Sequence, residues 1–227
     1  MWPVPPTKGE KRDPLLDRIL VPEDAAAGES GERILDAAAR QVEDFGIRRF
    51  TIDDVARRVG LSRVTIYRHF PKKDRLVEAV VFRELRRFLA AVDEAVDSCE
   101  TLEERLVEGF VFALMYLRRH RLLSRLLRTE PELLLPALTV NAGPVLAASR
   151  RFIAGFARSE AERGGLPLSS EEIEGVSELL ARAVLSFVLT PDSVFGLKTQ
   201  AEIRSFAEQY LAPTLQTLEA LPGRSKK

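Results

Sequence analysis

With a single cysteine in 227 residues, Cys99 has no partner along the chain and no internal disulfide can staple the fold. A chain of this length holds one large or two small domains and buries a sizeable core without such help. The lone thiol also fits a reducing cytoplasm, the location expected here. Long apolar runs are missing too. A stretch such as Leu133 to Leu138 is far too short to span a bilayer, and the N-terminus has no signal-peptide core, so no membrane partner is expected. Histidine is confined to His69 and His120, and there is no HExxH, no metal-spaced Cys/His cluster, no phosphate-binding glycine loop and no GxSxG elbow. Neither an enzyme nor a bound metal or cofactor is expected. The acid pairs Glu103/Glu104 and Glu171/Glu172 fall in first helical turns, where they offset the helix dipole. Net charge is absent, with 34 basic against 34 acidic residues. Alternating strand patterns are absent as well, which leaves an all-α chain.

What is present is concentrated between Thr51 and Lys73. Thr51 can N-cap a helix starting at about Ile52, with Asp54 three residues on completing a capping box. Ile52, Val55, Ala56 and Val59 turn one apolar face inward, and Gly60 supplies the left-handed residue that ends many helices. Ser62 then caps a second short helix whose Ile66 and Phe70 share a face before Pro71 stops it. Arg63, Val64, Thr65, Tyr67, Arg68 and His69 are left largely outside. Long cations, hydroxyls and a β-branched apolar group are what phosphate oxygens, base edges and a thymine methyl require. Between residues 46 and 75, nine bases (Arg48, Arg49, Arg57, Arg58, Arg63, Arg68, Lys72, Lys73, Arg75) face three acids (Asp53, Asp54, Asp74). That local +6 within a neutral chain is the electrostatic footprint of nucleic-acid binding.

Here the chain resembles the TetR family of bacterial one-component regulators. The matching pieces are residues 31–46 (GERILDAAARQVEDFG), Phe50 to Ala56, Val59-Gly60-Leu61-Ser62, Thr65 to Phe70, and Lys73 with Leu76, in the family's order and spacing over roughly 30–80. Val64 departs from the pattern, since a smaller residue is frequent there. The resemblance implies an N-terminal three-helix helix-turn-helix DNA-binding domain followed by a C-terminal helical ligand-binding and dimerisation domain. The front of the second short helix enters the major groove in helix-turn-helix proteins, which makes Arg63, Val64 and Thr65 the expected base readers. Thr51, Tyr67 and His69 are implied phosphate contacts, with Arg68 joining them or reaching a base, and Lys73 favoured over Lys72. With the capping Ser62, these form the expected DNA-binding set. No double-stranded operator sequence follows from the chain.

The remaining elements read as follows. Residues 1–28, with five prolines, read as a mobile tail, the alternative being one docked turn at Leu15, Leu16, Ile19 and Leu20. A first helix from Ser30 to Phe45 is expected to bury Ile34, Leu35, Ala38, Val42 and Phe45. A long helix from Asp74 to about Ser98, about 37 Å at 1.5 Å per residue, carries the stripe Val77, Val81, Leu85, Phe88, Val92 and Val96. Thr101 with Glu104 caps the next helix. A short helix near Leu122 to Arg128 is expected to be broken by Pro131 and Pro136. Another runs from Gly143-Pro144 to Arg163, stopped by Gly164 and Gly165. Ser169 or Ser170 caps a helix ended by Pro191, and a last helix from Thr199 to Leu218 is expected to kink at Pro213. The division is a tail at 1–28, a DNA-binding domain at 29–75, an effector-binding and dimerisation domain at 76–221 and a tail at 222–227.

By the resemblance, the second domain holds a small-molecule effector of unknown identity, apolar or aromatic by its expected lining of Phe110, Leu114, Met115, Tyr116, Phe152, Phe156 and Phe187. Each of these residues reads equally as plain core. The last two helices carry apolar residues on more than one face, and the family implies a homodimer formed there, at Leu180, Val184, Val188, Phe206, Tyr210 and Leu211. The expected function is a ligand-responsive transcriptional regulator that acts as a repressor. An activator, an effector-independent DNA-binding protein and a helical protein-interaction module remain open.

Overall fold

The computed structural model describes residues 28–162 and 169–215, and among these every regular element is helical. The expected tails, the Gly164–Gly165 stop and the end of the last helix beyond residue 215 lie outside the described residues. The elements are α1 (Glu29–Arg49), α2 (Ile52–Val59), α3 (Arg63–His69), α4 (Lys73–Val96), α5 (Leu102–Arg119), α6 (Arg121–Thr129), α7 (Pro131–Leu138), α8 (Gly143–Glu162), α9 (Ser170–Leu189) and α10 (Gln200–Phe206). Contacts divide the chain into two compact units. One holds the described residues up to Arg87 together with Arg119–Pro144, and the other holds Phe88–Arg118 and the described residues from Val145 on.

The first unit is a head of α1, α2 and α3 on which the start of α4 and all of α6 pack. Its core joins Ile34, Leu35, Ala38 and Val42 of α1 to Ile52, Val55, Ala56, Ile66, Phe70, Leu76 and Val80, with Leu122 and Leu126 from α6. Phe45 departs from expectation: it is 51% exposed, and the core aromatic is Phe50 at 1%. Gly46 explains the exchange. Its φ of +82° and ψ of 170° kink α1, and the last turn, closed by the Phe50 amide on the Gly46 carbonyl at 3.2 Å, carries Phe50 back into the core.

Two devices join the head to later segments of this unit. Arg83 is buried, with its guanidinium 3.0 Å from Asp36 and 3.3 Å from Glu32 of α1, and 3.5 Å from Glu84. Glu130, between α6 and α7, is also buried, and its carboxylate accepts the amides of Ile47 at 2.8 Å and Arg48 at 3.2 Å. The last turn of α1 is thus capped from 82 or 83 residues away.

The expected break at Pro131 is there, α6 ending at Thr129, but Pro136 does not break the helix that follows. Pro131 occupies its first turn, where a missing N–H costs nothing, and the helix continues through Pro136 to Leu138. Only one intrahelical bond is lost at Pro136, in a short exposed helix without buried residues. The α4 stripe also needs correction. Within the first unit α4 buries Leu76, Ala79, Val80 and Arg83, leaving Val81 38% exposed. From Phe88 on, the expected Phe88, Val92 and Val96 are buried.

In the second unit, Leu106, Phe110, Val111 and Leu114 of α5 pack with Leu180 of α9 and with Ile203, Phe206, Ala207 and Leu211. Ser169, rather than Ser170, caps α9 in a capping box with Glu172, and Thr199 does the same for α10 with Glu202. Beyond α10 the helix widens into a π-turn over Ala207–Leu211. Ala212 separates this turn from Pro213, whose ring cannot continue the regular bonding pattern, and the helix resumes through Pro213 to the last described residue. Between α9 and α10, the Arg118 guanidinium donates to the Phe187 carbonyl at 3.1 Å and to the Leu197 carbonyl. Leu197 is fully buried at a left-handed φ of +50°.

Candidate nucleic-acid interface

The surface of α2 and α3 is positioned by local bonds that the sequence foreshadows. The Thr51 hydroxyl accepts the Asp54 amide at 3.2 Å and donates to the Asp54 carboxylate at 2.6 Å. Gly60 ends α2 at φ +70°, ψ 28°, with open space where a Cβ would stand. The Ser62 hydroxyl accepts the Thr65 amide at 3.1 Å and lies 2.9 Å from the Thr65 hydroxyl. The Arg33 guanidinium donates to the last carbonyl of α2, at Val59, over 2.9 Å, tying α2 to α1.

From this base α3 buries only its inner face, with Ile66 at 0% and Phe70 at 1% exposure. Val64 stands 78% exposed, Tyr67 39%, and Ser62, Arg63 and Arg68 are exposed too, whereas Thr65 and His69 are half-buried. Val64 contributes nothing to this core and is free to meet an apolar group such as a thymine methyl. Thr51 is exposed beside α3's partner helix, and Lys73 opens α4 with its ammonium 5.5 Å from the centroid of the Phe50 ring.

Ion pairing reduces the local charge counted along the sequence. Arg48 meets Glu132 at 2.6 Å, Arg58 meets Asp44 at 3.5 Å and Arg75 meets Glu78 at 3.0 Å, all with acids outside the span 46–75. Arg57 lies 3.3 Å from Asp54 and Arg63 2.9 Å from Asp53. Arg49, Arg68, Lys72 and Lys73 have no carboxylate partner among the described residues. Exposed pairs contribute little to stability, so their cations can exchange a carboxylate for a phosphate at small cost.

Comparison with known proteins agrees with this geometry. Residues 34–80 match the family model described as bacterial regulatory proteins, tetR family, and the match covers α1, α2, α3 and the start of α4. Over these residues the chain is similar to the TetR family. An uncharacterised HTH-type transcriptional regulator of Mycobacterium bovis is 35% identical over 79 residues, which is 35% of this chain and 42% of that protein. A nucleoid occlusion factor of Vibrio atlanticus is 30% identical over 97 residues, 42% of this chain and 50% of that protein. The chain therefore spans half or less of the length of these relatives. In fold, the TetR family repressor AlkX from Dietzia superposes with a TM-score of 0.61 at 24% identity, over 82% of this chain and 98% of that one. GusR of Salmonella enterica gives 0.57 at 17% identity, over 86% and 100%. The all-α architecture, with its N-terminal helix-turn-helix head and C-terminal helical unit, is shared along nearly the whole of those chains.

The residues expected around an effector fall into three groups. Phe110 and Leu114 are core, with Phe187 edge-on to Phe110 at 6.5 Å and to Phe206 at 5.2 Å. Phe152 meets Phe156 edge-on at 5.0 Å, and the Arg105 guanidinium lies 6.0 Å from the Phe156 ring. Tyr116 stacks between Phe88 at 5.4 Å and Phe112 at 5.6 Å, and Met115 borders the Phe110 group. The expected dimer residues divide as well. Leu180, Phe206 and Leu211 are 6 to 8% exposed and pack in the core of their own unit. Tyr210 is 48% exposed, Val184 and Val188 are half-buried, and Leu179, not in the expected set, is 48% exposed.

Sequence reasoning missed Glu130, Arg83 and the capping role of His120, whose Nδ1 accepts the Leu123 amide at 3.3 Å while Nε2 lies 3.4 Å from Glu84. A polar residue just before a helix was the one signal available for His120. The other two depend on partners too distant in sequence to leave a local pattern.

Proposed function

We propose that this chain is a TetR-family, ligand-responsive DNA-binding transcriptional regulator, acting in the cytoplasm as a homodimeric repressor and not as an enzyme. The observation that carries this reading is the outer face of α3. Arg63, Val64, Tyr67 and Arg68 project from a helix locked inward by Ile66 and Phe70, and Thr51 and Lys73 flank it. Arg63, Val64 and Thr65 serve as base readers; Thr51, Ser62, Tyr67, Arg68, His69 and Lys73 serve the phosphates. Two such faces in a two-fold dimer sit about 34 Å apart, in successive major grooves of a palindromic operator.

Effector response is assigned to the aromatic-rich second unit, which contributes the latter part of α4, while the first unit holds its start. A small apolar or aromatic molecule with higher affinity for another conformation of α4 lowers operator affinity by that difference. Functionally the division is taken at about residue 75, with the segment 119–144 packed on the head as a structural support.

Fluorescence anisotropy of labelled duplexes tests the DNA reading. The expected result is tight binding at low salt, with log K falling linearly against log salt. Salt-independent or undetectable binding contradicts it. A second reading is a DNA binder that answers to no small molecule. A thermal-shift screen with apolar and aromatic compounds separates the two, since only an effector-responsive protein gains stability from one of them.

A further inference from the structure

We propose that Asp53 sets base specificity by holding Arg63, an inference that rests on the reading of α3 as a groove-entering helix. Asp53 is the second residue of α2 and Arg63 the first of α3, and the Arg63 Nε lies 2.9 Å from the Asp53 Oδ1 across the turn. The side chains are 60% and 51% exposed, so the pair adds little to the stability of the head. Nor is Asp53 needed to finish the start of α2. Asp54 already fills that role, bonded to the Thr51 hydroxyl at 2.6 Å and 3.3 Å from Arg57.

What the pair does do is restrict a long side chain at the front of the exposed helix. A carboxylate seated at Nε leaves the far edge of the guanidinium, Nη1 and Nη2, as a two-donor fork. That fork fits two adjacent acceptors, of which the N7 and O6 edge of guanine in the major groove is the matching pair in DNA. A flexible arginine would instead settle on the nearest phosphate of any sequence. Asp53 acts in a second way, because a carboxylate beside the phosphate backbone weakens every complex in which Arg63 does not face its base. Arg68 and Lys72, with no carboxylate partner among the described residues, remain suited to phosphate.

Selection from a random duplex pool at fixed salt, on the full chain and on D53N, R63A and the double variant, tests this. The unaltered protein is expected to enrich a guanine-containing base pair that R63A no longer enriches. D53N is expected to lose preference at that same base pair by about fivefold, within the range of a bidentate base contact, and to bind unrelated duplexes more tightly. In the R63A background, D53N should leave base preference unchanged, because Asp53 acts through Arg63. Equal unfolding midpoints for D53N and the unaltered protein exclude a folding effect. Retention of the original preference by D53N, or the same change with and without Arg63, overturns the proposal. Enrichment by the unaltered protein of a sequence that R63A enriches equally removes Arg63 as the reader and overturns the proposal while sparing DNA binding. Enrichment of nothing overturns the DNA reading itself, and this inference with it.

Discussion

At Gly46 the backbone takes a left-handed turn, and a Cβ there would stand 2.4 Å from the Glu130 Oε1. Two costs meet in Gly46→Ala: about 1 kcal/mol or more for the positive φ, and displacement of a carboxylate that satisfies two amides. Glu130→Ala leaves those amides without their acceptor, at about 1–3 kcal/mol for each one kept from water. Urea unfolding should show both variants destabilised, and Gly46→Ala should cost less in a Glu130→Ala background, where only the backbone strain remains. Full additivity would contradict the contact. Glu84 gives a pH prediction. Burial raises its pKa, but the hydrogen bond from His120 and then the charges of Arg87 and Arg83 prevail, so its pKa lies below the ordinary 4.5. A depressed carboxylate contributes stability above its unfolded value that is lost as pH falls through the folded one. Stability should therefore decline below about pH 4.5, and less steeply in Glu84→Gln; equal slopes would remove Glu84 from the account. Phe45 shows where residue-scale reading stops. It lies on the correct face of α1 by periodicity, and only the kink at Gly46 hands its place to Phe50.

Elements were legible where the signal is local. Thr51, Ser62 and Thr101 all cap as the sequence implies, because a cap and its partner amide lie within one turn. Breaks were less legible. Pro136 sits inside a helix and Pro213 follows a π-bulge, since proline removes one bond but neighbouring geometry decides how the chain absorbs the loss. The stripe of α4 was correct from Phe88 on and only in part before it, where Val77 packs on the head core and Val81 stands exposed while Leu76, Ala79 and Val80 are buried. The α3 cap carries its own prediction. Ser62→Ala should lower stability by about 1 kcal/mol and weaken binding to all duplexes by a similar factor, as measured by thermal unfolding and anisotropy. Altered base preference with unaltered stability would instead make Ser62 a reader.

For the whole molecule, the outward faces of α9 and the turn after α10 carry the assembly question. Among the described residues no single helix is long and apolar enough to cross a membrane. Leu179 and Tyr210 are each about half exposed, whereas Leu180 is internal. Leu179→Asp is expected to shift a dimer toward monomer in sedimentation with the helical fold retained. Leu180→Ala should instead lower stability by about 2–5 kcal/mol, as a core truncation does. Unchanged self-association of Leu179→Asp together with Tyr210→Asp would move the interface elsewhere. The sequence could indicate surplus apolar faces but not which residues the subunit itself buries, because adjacent positions such as 179 and 180 differ only in tertiary packing. The measurement that bears most directly on the central claim is the sedimentation mass of the protein on a duplex enriched by selection. An even number of chains per duplex, lost when Arg68 and Lys73 are both changed to alanine, is the expected result. A single chain per duplex, or a complex indifferent to those two cations, would contradict it.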